Sequence, residues 1–245
     1  MREKPPAAGW GQDPVTSFIQ RAEDNISAVF LEFRQEFDHL IELGLLMDTA
    51  IRALKSEDSG SHPVFKTLLA RSYGCYLGGI RLSAGGQFTE ACALYRACIE
   101  CGLYAFYIAR NPNLGQLWLN RNVDEQSRKA VKRNFKPKEM IDYLEREQPI
   151  IGGQVQKYYE NTITFGAHPN VMSVGLNLEV IGDWDKAEYL LLNTDDIPKT
   201  LVLNARAGLL VLSIYGLIYT KQFNENGIFE KISALFEYHN TLASR

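Results

Sequence analysis

The sequence predicts an all-α protein, a multi-helix bundle carrying one short β-hairpin near residues 176–192. Three observations lead there. Apolar residues recur at three- and four-residue spacings through most of the chain. Clusters of Gly, Pro and Asn cut it into helix-length pieces. One stretch alone alternates apolar and polar residues in the manner of a strand.

Residues 1–12 read as a flexible tail, leaving 13–245 as a single helical domain. Asp13-Pro14 is a helix start, an N-cap followed by proline at the first helical position. From there Phe18, Ile26, Val29, Phe30, Phe33, Phe37, Leu40, Ile41 and Leu45 mark one face of a long amphipathic stretch, broken at most once. Ser56 to Ser61 is a polar loop. A helix follows over about 63–83, stopped by Ala84-Gly85-Gly86. Another covers 89–110 and ends at Asn111-Pro112-Asn113. Shorter pieces at about 114–121, 124–134 and 138–147 are punctuated by Pro137 and Pro149. A further helix over 150–167 stops at His168-Pro169-Asn170. Val171 to Asn193 admits two readings, a helix around 186–192 or a hairpin turning at Gly182-Asp183. The alternation of Leu176, Leu178 and Val180 with polar neighbours favours the hairpin. Two helices, about 196–222 and 226–242, complete the chain.

Composition bounds the function. A chain of 245 residues that is 46% hydrophobic and 22% charged can bury a large core without metals or disulfides. A net charge of −3 supplies no global attraction to nucleic acid or anionic lipid. The apolar run Ala207–Tyr219 is 13 residues, short of the ~20 a membrane helix needs, and reads as a core helix. Cys75, Cys92, Cys98 and Cys101 cluster in helical sequence, which fits free thiols in a reducing cytoplasm. No signal peptide is visible at the N-terminus.

The chemistry-bearing segment is Tyr95 to Tyr104. Arg96, Glu100 and Tyr104 lie four apart on one helix stripe, among apolar or small neighbours. A charge buried there must be paired, so the stripe is either a structural ion pair or a polar site. His168 closes a helix rich in Tyr and Thr and can hydrogen-bond there with Asn170 beside it. Arg96, Glu100, Tyr104, His168 and Asn170 are therefore the expected pocket for a small anionic ligand. Homodimerisation is the expected assembly.

Other motifs are thinner. Cys98-x-x-Cys101 lacks the second ligand pair zinc requires. Glu36-x-x-His39 lacks the companions of a di-iron site, so no metal and no cofactor are expected. Arg34-x4-His39 is similar in spacing to the active-site motif of HEPN ribonucleases, although the two residues point about 140° apart on a helix. That resemblance implies an RNA-cleaving defence protein with Arg34 and His39 exposed together. Arg128, Lys129, Lys132, Arg133, Lys136 and Lys138 form a basic run of the kind that meets phosphate or is simply solvated.

Gly86-Gln-Phe-Thr-Glu-Ala91 is echoed by Gly182-Asp-Trp-Asp-Lys-Ala187, as in tetratricopeptide scaffolds. The copies are 96 residues apart, off the roughly 34-residue period. The order of Arg96, Glu100, Tyr104, Phe106, Tyr107 and Trp118, followed later by His168-Pro169-Asn170, also resembles a broad group of uncharacterised, mainly bacterial all-helical proteins. That resemblance spans about 65–240, and it implies a helical bundle without implying an activity.

Overall fold

The computed structural model describes residues 8–54, 63–167, 173, 177–181, 186–189, 191 and 196–244. The fold is an all-α bundle with, among the described residues, one antiparallel strand pair, β1 (Leu178–Ile181) and β2 (Lys186–Tyr189), in which Glu179 lies opposite Glu188.

The first helix, α1 (Pro14–Glu32), is held at its start by Asp13, whose carboxylate accepts from the backbone N–H groups of Val15 and Thr16. The Thr16 hydroxyl, which also donates to this carboxylate, together with these backbone bonds, holds the Asp13 carboxyl below its usual range. Trp10 donates from its indole to Gln20, and the Gly11 N–H donates to Thr16, which ties the turn back onto α1. The predicted break falls at Phe33, and α2 (Arg34–Ala53) follows.

The next pair is α3 (Pro63–Ala84) and α4 (Phe88–Arg110). Gly86, at φ +87°, closes α3 with Gln87 donating back to Leu82. Ser72 and Cys98 lock the two helices by exchanging bonds, each side chain donating to the other's backbone carbonyl. Then come α5 (Asn113–Leu119), α6 (Glu125–Asn134), α7 (Pro137–Glu147) and α8 (Pro149–Thr162). The helix expected over 150–167 ends as a π-turn, Ile163–Ala167.

Three helices finish the chain: α9 (Ile197–Ile218), α10 (Thr220–Glu225) and α11 (Ile228–Ala243). The helix expected over 196–222 is thus two, because the backbone leaves helical angles at Tyr219.

The hub is α9, packed by α2, α3, α4, α8 and α11. Ala207 to Leu212 and Ile214 to Gly216 are buried on every side. Buried tyrosines fix its surroundings: Tyr215 donates to the Phe65 carbonyl and Tyr76 to that of Leu40. The helix is 22 residues, longer than its 13-residue apolar run, and both α4 and α9 are long and apolar enough to cross a membrane. Of their most apolar windows, 56% and 67% are already buried inside the protein, as in core helices.

Three cysteines are buried and Cys101 is half-buried, all as free thiols. Burial pushes the Cys92 thiol up to about 12 and the Cys101 thiol to about 11, so neither is a ready nucleophile.

Candidate functional site

The structure brings Arg96 and Glu100 together on α4 and adds a partner from α8. The Glu100 carboxylate accepts from Arg96 Nε at 2.9 Å and from the Tyr159 hydroxyl at 2.8 Å on the same oxygen, Oε1. The Arg96 guanidinium lies 5.1 Å from the Tyr159 ring centre. Burial and the Glu100 charge together hold the Tyr159 phenol in its protonated form. This cluster pins α8 to α4, and the arginine in it is already neutralised. Tyr104, next on the stripe, stacks on Phe135 with ring centres 4.9 Å apart, serving the packing of α4 on the segment after α6. His168 and Asn170 lie outside the described residues. Glu100→Gln, which removes the charge but keeps the shape, should cost about 1 kcal/mol in urea denaturation by leaving Arg96 half-buried and unpaired.

The HEPN-type pair is not exposed together. Arg34 is on the surface, bonded to Asp38 at 2.9 Å and lying over the Phe30 ring. His39 is 1% exposed. The five-residue spacing that turns the two side chains apart sends one to solvent and the other under α11. The basic run is exposed, with Lys129 paired to Glu125 and Lys136 to Glu139. The repeat echo also dissolves: Gly86 stops a helix, whereas Lys186 and Ala187 begin β2. Among the described residues, no three of His, Cys, Asp and Glu gather as metal ligands.

A different basic cluster emerges where α2, α9 and α11 meet. His39 of α2 faces His239 of α11 with ring centres 5.7 Å apart, and Tyr238 meets the His39 ring edge-on at 5.3 Å. Both histidines are buried. Among the described residues, neither nitrogen of His39 has a hydrogen-bond partner, nor does Nδ1 of His239. Burial lowers both pKa values to about 4, with the charges of Arg206 and His39 pressing further on His239. Arg206 of α9 completes the cluster. It is half-buried and lies 5.1 Å from the ring centre of Phe236, one helical turn before His239 on α11. It makes no hydrogen bond and no ion pair among the described residues. Desolvation lowers its pKa, with only the neighbourhood of Tyr158 acting against that.

The sequence did not single out Arg206, which immediately precedes the apolar run Ala207–Tyr219. The available signal was a cation without a nearby acid in the most apolar helix of the chain.

Comparison with known proteins gives no matching family model, no matching curated protein and no matching solved structure. The fold and the cluster define an all-α bundle in which a half-buried arginine stands beside two buried histidines with no acid paired to it among the described residues.

Proposed function

We propose that this protein is a cytoplasmic binding protein that takes a small anion, a carboxylate or a phosphate, at Arg206 within the bundle. The observation that carries the reading is the state of Arg206. A guanidinium has five N–H donors, and this one is half-buried with none of them spent on a described residue. Desolvating a cation without a counter-charge is costly, and an anionic ligand offsets that cost with charge-assisted bonds. His239 stands beside it with an unpartnered Nδ1, able to donate or accept according to its tautomer. The free thiols support the cytoplasmic setting. Arg96 supports the reading less, because Glu100 already occupies it.

Isothermal titration with inorganic phosphate and with small mono- and dicarboxylates tests this. Saturable binding is expected for at least one of them. Arg206→Gln should weaken it about ten- to a hundredfold, the worth of a charge-assisted hydrogen bond, while Arg96→Gln leaves it unchanged. Equal binding by wild type and Arg206→Gln would rule the site out, as would the absence of saturable binding to any of the anions.

A further inference from the structure

Outside the histidine cluster, α2 and α11 form a groove of about 380 Å³ that opens to solvent. Leu45 and Leu46 line one wall, Leu235 and Tyr238 the other. Leu45 is 64% exposed, and Ile41 one turn earlier is 42% exposed. Solvated leucine and isoleucine one turn apart beside an apolar groove form the unpartnered half of a four-helix contact.

The charges on this face say what covers it. The two helices run antiparallel. At one end His39 packs on His239. At the other, Lys66 donates to the carbonyl of Leu54, just past α2, while its neighbour Phe65 packs on Tyr219, shortly before α11. Glu42 therefore sits at the Tyr238 end of the groove and Lys231 at the Thr49 end. Both are exposed, and neither is in an ion pair among the described residues. Opposite charges at opposite ends of one groove are self-complementary under a two-fold axis through its middle. The rotation carries each end onto the other, so Glu42 meets Lys231 of the partner subunit and the reverse contact forms by symmetry. Leu45, between the two levels, falls beside the axis.

We propose that α2 and α11 form the interface of a homodimer, with Leu45 at its centre and reciprocal Glu42–Lys231 contacts at its ends. The apolar centre supplies the affinity and the charges set the register. This rests on the outer face of the helix pair and stands apart from anion binding at Arg206.

Analytical ultracentrifugation of the full chain, over a concentration series reaching the high micromolar range, tests it. Wild type is expected as a dimer. Glu42→Lys alone and Lys231→Glu alone should each weaken the dimer about tenfold, because symmetry makes every reversal count twice. The double variant Glu42→Lys/Lys231→Glu should recover it, and Leu45→Glu should leave a monomer. All three substituted positions are exposed, so circular dichroism should be unchanged; if Leu45→Glu does not fold, the charge-swap series decides alone. A wild type that is monomeric throughout overturns the proposal. So does a dimer indifferent to Leu45→Glu and to the charge reversals, or one that the double variant does not recover.

Discussion

Lowering the pH from 7 to 4 is expected to remove on the order of 2 kcal/mol of stability for each of His39 and His239, with His39→Leu returning about half of the loss. Both histidines are neutral in the fold, with pKa values lowered from 6.5 to about 4. The unfolded chain therefore binds protons first as the pH falls. Stability from these groups is intact above about 6.5, declines between 6.5 and 4, and is fully lost below. A proton on His39 is opposed by burial, with the imidazole of His239 and the ring of Tyr238 against it, and a proton on His239 is opposed by burial and by the charges of Arg206 and His39. His39→Leu removes one titrating group and relieves the charge that depresses the other. At pH 7 it should also stabilise by about 1 kcal/mol, because two unpartnered buried nitrogens are replaced by an apolar group of similar size. Urea midpoints measured at pH steps from 7 to 4 check both parts. Parallel curves for wild type and His39→Leu would show that the pair does not govern the acid response.

A second large effect is expected where α7 meets α8, at two adjacent glycines. A Cβ on Gly152 would collide with the Glu145 backbone at its N and Cα atoms. Backbone cannot swing aside as a side chain can, so Gly152→Ala must push α8 off α7. The expected cost is about 3 kcal/mol, or roughly 6–12 °C in melting temperature for a chain of this size. At Gly153 the nearest atom to an added Cβ is Glu145 Oε1, 3.8 Å away at the far end of a flexible side chain. Gly153→Ala should be neutral or stabilise by up to about 1 kcal/mol, through the lower entropy cost of alanine in a helix. Thermal melts of the two variants give opposite signs if the close approach is real. Equal shifts would contradict it.

The helices were readable because each announces itself locally. The apolar spacing from Phe18 to Leu45 specifies an amphipathic stretch, and Asp13, Gly86 and Pro137 specify ends whose capping depends on residues a few positions away. The Arg96–Glu100 pair was readable for the same reason, since four residues bring two side chains together on any helix. Tyr159 was not. It reaches Glu100 across 59 positions of chain, and no periodicity encodes which helix lies beside which. His39 shows the limit most clearly. Its spacing from Arg34 suggested a shared exposed site, yet its fate is set by α11, whose His239 covers it from two hundred positions away.

Periodicity along the chain thus set the helices, their boundaries and their apolar faces, because hydrogen bonding and side-chain direction in a helix are local. Charge compensation depends on contacts between distant segments and emerged only with the packed fold. Arg96 has its acid one turn along the same helix. Arg206, half-buried beside Phe236 and His239 of α11, has none among the described residues.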